Sequence, residues 1–197
     1  MAERRILIVF GTSYGQTAKI ARSMADQLTA AGDSPTLVDA AELPRDGALP
    51  RRLTPHDFDA VIVGGSVLYG RLQRSIGRFV RAHLAALNEM PSALFAVSGA
   101  AGSADPAQQA EARRIASEFL RATAWRPAVV ETVGGAIAYT RYNPLMRWML
   151  RRITAQNGGP TDSSRDHELT DWAQVRRFVE SFAATVPHGE HAAAHHA

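Results

Sequence analysis

The chain has 197 residues, 46% of them hydrophobic and a net charge of +3, which is typical of one globular domain. Cysteine is absent, which excludes disulfides, thiolate metal sites and cysteine nucleophiles. No apolar run approaches the ~20 residues of a membrane span, and the run after the basic start is too short for a signal peptide, so we expect a cytoplasmic protein.

Short apolar runs alternate with amphipathic segments along the first half of the chain. The run 6–10 is continuously apolar, which favours a strand buried on both faces of a parallel sheet. The predicted elements here are strands over 6–10, 36–38 and 59–64, helices over about 17–31 and from the loop 65–70 to about 87, and an irregular connection over 41–57.

The second half continues the same alternation. We predict strands over 93–98 and 128–138, a helix capped by Asp105 with Pro106 in its first position, and a last helix that opens at Thr170. Five strands alternating with helices predict a three-layer, doubly wound α/β fold with a five-stranded parallel sheet. Such folds bind ligands at the carboxyl ends of the strands, where the loops 11–17, 65–72 and 99–105 lie.

The first of these loops lacks the common nucleotide-binding signatures. The glycine spacing of a dinucleotide fingerprint and the lysine of a P-loop are both missing. Thr12, Ser13 and Thr17 instead offer hydroxyl groups, and Gly15 allows close approach of the backbone at the start of a helix. This turn suits a phosphate dianion. Alternatively, the hydroxyl residues only cap the helix.

The segment 12–17 resembles the FMN phosphate loop of the flavodoxin family, usually T/S-x-T-G-x-T, with Tyr14 at a position that usually carries threonine. The resemblance implies that the flavin ring lies between the loops after the third and fourth strands, with Tyr69 stacked on it. Alternatively, Tyr69 only seals the helix end. The implied FMN contacts are Thr12, Ser13, Tyr14, Gly15, Gln16, Thr17, Ser66, Val67, Leu68, Tyr69, Gly70, Ser98, Gly99, Ala100 and Gly102.

A narrower resemblance extends over most of the chain, up to Trp172. It is carried by Tyr69-Gly70, Met90-Pro91-Ser92-Ala93, Trp125-Arg126-Pro127, Gly135-Ala136, Arg141-Tyr142, Gly158-Gly159, Thr161-Asp162 and Thr170-Asp171-Trp172. This pattern is similar to the flavodoxin-like protoporphyrinogen IX dehydrogenases, which pass electrons to quinone. It implies FMN-dependent oxidation of protoporphyrinogen IX in heme biosynthesis. The flavin would carry the chemistry, and no catalytic acid or base is identified.

Arginine is concentrated in two stretches that lack acidic residues. Residues 139–169 form an insertion far longer than the ~2–6 residues of a usual connection, and its part before 162 predicts an arginine-rich amphipathic helix for a membrane surface. Alternatively, its apolar stripe packs on the sheet. In the other stretch, 60–88, arginines 71, 74, 78 and 81 share one helical face, which is either solvated or attracts an anionic substrate. We expect Arg71, Arg141 and Arg147 to bind the substrate.

These observations together predict one domain over 1–186 and a disordered tail rich in histidine and alanine over 187–197. We expect peripheral attachment to the cytoplasmic face of the inner membrane, no metal and no nucleic-acid partner, and leave homo-oligomer formation open. The alternatives are a flavodoxin-type electron carrier, an NAD(P)H-quinone reductase and an interaction module without flavin. Arginines beside the site argue against a carrier, since carriers generally present acidic faces.

Overall fold

The structure is a computed structural model that describes residues 3–50, 53–137 and 166–187. The predicted helix of the insertion and the tail from 188 onward lie outside these ranges. The strands are β1 (Arg5–Gly11), β2 (Ser34–Asp39), β3 (Ala60–Leu68), β4 (Arg71–Leu72), β5 (Ser92–Ser98), β6 (Val129–Gly134), β7 (Ala136–Ile137) and β8 (His167–Glu168). The helices are α1 (Gln16–Ala30), α2 (Arg74–Ala82), α3 (Leu84–Glu89), α4 (Pro106–Thr123) and α5 (Trp172–Ala183).

Five parallel strands form the main sheet in the order β2-β1-β3-β5-β6. Ile8 of β1 lies opposite Leu37 of β2 on one side and Ile62 of β3 on the other. The chain thus leaves β1 in one direction along the sheet and later returns in the other, which makes the carboxyl ends of β1 and β3 the switch point of the fold. The predicted parallel sheet is confirmed.

Two helical layers cover the sheet. In β1, the side chains of Ile6, Ile8 and Phe10 pack on the face that α1 and α5 cover. Leu7 and Val9 alternate with them and pack on the opposite face, beneath α2 and α4. Because successive side chains of a strand point to opposite faces, a strand buried between two layers must be apolar throughout.

Three differences from the predicted elements are the largest, while β2 (Ser34–Asp39) and the start of α5 (Trp172) each differ by only one or two residues. β3 does not end at residue 64 but continues to Leu68, where it forms an antiparallel hairpin with β4. The predicted helix up to residue 87 is two helices, because the backbone of His83 leaves the helical region (φ −119°, ψ 21°). The last strand ends at Gly134 rather than 138, and the two residues after Gly135 pair with β8 instead.

The connection over 41–57 contributes to the core despite its irregular sequence. Two of its residues, Leu43 and Leu49, are buried in the core. The backbone N–H of Leu49 donates to Nε2 of His83 at 3.3 Å, and the same ring hydrogen-bonds the backbone of Gly47. His83 therefore fastens this connection at the break between α2 and α3.

This arrangement predicts a pH-dependent component of stability. Burial lowers the pKa of His83 below its ordinary value, against the opposing effects of the Gly47 hydrogen bond and Asp46. His83 therefore binds a proton more readily in the unfolded chain than in the folded one. Its contribution to the free energy of unfolding is complete above about pH 6.5 and is lost as the pH falls toward the folded-state pKa. We expect the free energy of unfolding, from urea titrations, to fall between pH 7.5 and 5.5 more steeply in the wild type than in His83→Gln. Equal slopes would contradict the assignment.

Candidate functional site

Hydrogen bonds join the first two predicted loops at the switch point. The Oγ atoms of Ser13 and Ser66 lie 3.0 Å apart, and Nε2 of Gln73 donates to Ser13 Oγ at 2.8 Å. Ser13 follows β1, Ser66 lies in β3, and Gln73 directly precedes α2. The structure thus brings these two loops together, as the fold class predicts.

The turn before α1 leaves the start of the helix open. Gly15 has a left-handed backbone (φ 96°), and its N–H donates to Thr12 Oγ1 at 2.9 Å. No side chain caps α1, whereas Asp105 caps α4 and Asp171 caps α5. The first amide groups of α1 therefore remain available as donors at the positive end of the helix dipole. This arrangement fits a phosphate group.

The side chain of Gln16 is not available to bind a phosphate, because it is hydrogen-bonded to residues that precede α5. Its Nε2 donates to Thr170 Oγ1 at 2.8 Å and to Glu168 Oε1 at 3.2 Å. Glu168 also pairs with Lys19 at 2.7 Å, and this hydrogen bond chiefly lowers the pKa of the carboxyl. The negative charge of Glu168 beside the phosphate loop is therefore balanced by Lys19. Of the donor groups of Gln16, only the backbone N–H is left for a ligand.

The second loop is a tight hairpin rather than an open loop. Its two central residues, Tyr69 (φ 50°) and Gly70 (φ 73°), both have left-handed backbones, as in the type I′ turns that join antiparallel strands. Tyr69 is 77% exposed, while Val67 pairs with Leu72 and packs on the core. The turn presents the aromatic ring of Tyr69 at the carboxyl edge, where the resemblance placed a stacking residue.

The third loop is held by its own strand and by the segment before α5. The N–H of Ala101 donates to Ser98 Oγ at 3.1 Å, which closes the short 3-10 turn of residues 100–102. A Cβ on Gly102 would lie only 2.7 Å from Cβ of Leu169. The loop therefore packs closely against Leu169, which the sequence does not predict as part of the site.

Four side chains of the site were missed from the sequence: Lys19, Gln73, Glu168 and Thr170. The side chains with which they form hydrogen bonds lie 60 to 154 residues away along the chain. Of the residues predicted to bind substrate, Arg71 lies exposed in β4, and no described carboxylate pairs with it. The prediction that it shares a helical face with arginines 74, 78 and 81 is wrong, because α2 begins only at Arg74. Arg141 and Arg147 lie outside the described residues. None of the helices in the described ranges combines the length and apolar character needed to cross a bilayer.

Comparison with known proteins identifies related sequences. The family model described as "Flavodoxin domain" matches residues 7–164. The protoporphyrinogen IX dehydrogenase [quinone] of Leishmania major is 33% identical over 180 residues, which cover 91% of this chain and 75% of that protein. The Escherichia coli (strain K12) protein of the same name is 31% identical over 182 residues, 91% of this chain and 94% of its own.

Solved structures agree on the fold at low identity. An NADH:FMN oxidoreductase (EmoB, apo form) superposes with a TM-score of 0.55 at 14% identity, covering 95% of this chain and 92% of that one. Flavodoxin 1 from Bacillus cereus gives 0.51 at 15% identity, covering 91% and 95%. FMN is the cofactor of the flavodoxin domain, and the open start of α1 fits its phosphate. The chain therefore belongs to the flavodoxin-domain family, among the proteins named protoporphyrinogen IX dehydrogenase [quinone].

Proposed function

We propose that the protein is an FMN-dependent dehydrogenase that oxidises protoporphyrinogen IX to protoporphyrin IX and passes the electrons to a membrane quinone. The observation that carries this proposal is the similarity to proteins of that named activity over 91% of the chain. Each step removes two hydrogens from the macrocycle and reduces one quinone to a quinol. FMN, when bound, supplies the hydride acceptor that links the two half-reactions.

The residues of the chain bind and orient the reactants in this proposal. Residues 12–17 and the open amides of α1 hold the phosphate, and the hairpin turn and the loop 98–102 enclose the ring. Tyr69 stacks on the ring. Arg71, Arg141 and Arg147 orient the carboxylates of the substrate, because a guanidinium forms strong charge-assisted hydrogen bonds with a carboxylate.

We also propose that the protein attaches to the cytoplasmic face of the inner membrane through its insertion. Residues 132–161 contain no acidic residue and four arginines, with Trp148 and several aliphatic side chains among them. Such a segment is attracted to anionic lipid and can bury its apolar side chains at the interface. The location would place the flavin near a quinone dissolved in the bilayer.

The direct test is anaerobic turnover with defined donors. We expect the FMN-loaded protein to form protoporphyrin, followed by its fluorescence, when mixed with protoporphyrinogen IX and a soluble quinone. NADH or NADPH in place of the porphyrinogen should support much slower quinone reduction. Faster turnover with a nicotinamide donor would instead assign a quinone reductase, and an FMN-loaded protein inactive with both donors would contradict the proposed dehydrogenase.

A further inference from the structure

Residues 167–170, which we call the return segment, lie between two cofactor loops: the phosphate loop (residues 12–17) and the loop after β5 (residues 98–102), which we call the ring loop. The segment consists of β8 and the two residues after it, and it leads into α5. β8 pairs antiparallel with β7, and the N–H of Leu169 donates to the carbonyl of Gly135 at 2.8 Å. The backbone of the return segment is therefore fixed to the end of the main sheet.

On one side, the return segment contacts the phosphate loop through polar groups. Gln16 is the first residue of α1, and its side-chain amide bonds both Thr170 and Glu168. The Lys19–Glu168 pair adds a second link one turn later, but its side chains are 55% and 37% exposed. Exposed ion pairs contribute little, so the neutral contact between Gln16 and Thr170 is the stronger constraint.

The hydroxyl of Thr170 connects this contact to the sheet. Its oxygen accepts from Gln16 Nε2, and its single proton is donated to the carbonyl of Gly134 at 2.7 Å. Gly134 is the last residue of β6. Thr170 thus links the first residue of α1 to the carboxyl end of a strand at the opposite edge of the sheet.

On the other side, the return segment contacts the ring loop through packing. A Cβ on Gly134 would lie 3.0 Å from the Cα of Gly102 and equally close to the carbonyl carbon of Leu169. Leu169, Gly102 and Gly134 therefore meet with no space for a further methyl group. Small residues at both glycine positions allow this close approach of three backbones.

We propose that the return segment positions both cofactor loops, with Thr170 as the positioning residue for the phosphate end and Leu169 for the ring end. Gln16 supplies one of the open amide groups at the start of α1, so fixing its side chain holds that amide in place before the phosphate arrives. Donors that are already in position bind an anion without a further ordering cost. This inference rests on the FMN-binding part of the proposed function and does not depend on the porphyrin substrate.

The test compares FMN with riboflavin, which lacks the phosphate. Apo-protein is titrated with each flavin, and quenching of flavin fluorescence gives the dissociation constants. Thr170→Val removes the hydroxyl while keeping the shape, and should weaken FMN binding about tenfold while leaving riboflavin binding unchanged. Thr170→Ser keeps the hydroxyl and should restore FMN binding. For the ring end, the contact with Leu169 is made by its Cβ and backbone, so the variant is Gly102→Ala, whose Cβ would lie 2.7 Å from Cβ of Leu169. With an unchanged circular dichroism spectrum, Gly102→Ala should weaken both flavins by the same factor, and unchanged affinities would overturn the role of Leu169.

The outcomes separate the possible failures. Unchanged FMN affinity in Thr170→Val, or an equal loss for FMN and riboflavin, would overturn the role of Thr170, since a general loss of structure affects both flavins alike. The circular dichroism of each apo-protein identifies a variant that fails to fold. If Thr170→Val fails to fold, the preference for FMN over riboflavin, expressed as the ratio of the two affinities, is compared between Thr170→Ser and the wild type. A reduced preference in Thr170→Ser would count against the proposal. A wild type that binds no FMN would overturn the proposed function together with this inference.

Discussion

Replacing Arg4 by alanine is expected to lower the free energy of unfolding by about 3–5 kcal/mol. Arg4 is 7% exposed and Asp33 is 6% exposed. The guanidinium donates to both carboxylate oxygens of Asp33 at 2.7 Å and to the carbonyl of Ala183 at 2.8 Å. Alanine would leave the charge of Asp33 buried without its partner, and the end of α5 would lose its link to the start of β1.

Urea unfolding followed by circular dichroism measures this loss. The matched control is Arg114→Ala, because Arg114 also pairs with carboxylates, Glu111 and Glu118, but on the exposed face of α4. We expect the control to leave the unfolding midpoint nearly unchanged. The double variant Arg4→Met, Asp33→Leu should recover most of the stability, since it removes both buried charges together. If Arg4→Ala unfolds at the same urea concentration as Arg114→Ala, the buried pair does not have the assigned role.

The sequence predicts those parts of the fold that depend on local pattern and burial. The run 6–10 predicts a strand buried on both faces because its period and composition are visible within five residues, and β1 has that burial. The extension of β3 through residues 65–68 is not visible in this way. Gly65 and Ser66 are typical of a turn, but in the structure they pair with Ala96 and Val97 of β5. The next two residues, Val67 and Leu68, pair with β4, and a local pattern reports neither pairing.

The same distinction holds for the site. The positions of the three loops follow from the strand order, because parallel strands end at one edge of the sheet. The contacts between the loops do not follow, since Gln73 meets Ser13 across 60 residues and Gln16 meets Thr170 across 154. Single polar residues in loops form no periodic pattern. Only the three-dimensional structure shows that Gln16 contacts the return segment rather than a ligand through its side chain.

The hairpin turn makes a second large effect testable. Tyr69 has a left-handed backbone, which costs an L-residue other than glycine about 1 kcal/mol or more. Asparagine adopts this conformation more readily, and Asn-Gly is the preferred type I′ sequence. Since the side chain of Tyr69 is exposed, Tyr69→Asn loses little packing. We therefore expect Tyr69→Asn to raise the free energy of unfolding of the apo-protein by about 1 kcal/mol.

The same substitution should weaken FMN binding by about tenfold to a hundredfold, because stacking between an aromatic side chain and a heterocycle contributes about 1–3 kcal/mol. Tyr69→Phe keeps both the ring and the strained backbone, so its stability and its FMN affinity should match the wild type. Calorimetry on the apo-protein and fluorescence titration with FMN measure the two effects separately. Tight FMN binding by Tyr69→Asn would show that Tyr69 does not contact the flavin. Gains in stability and losses in affinity that appear together would show that the strained turn is retained because it presents an aromatic ring to the cofactor.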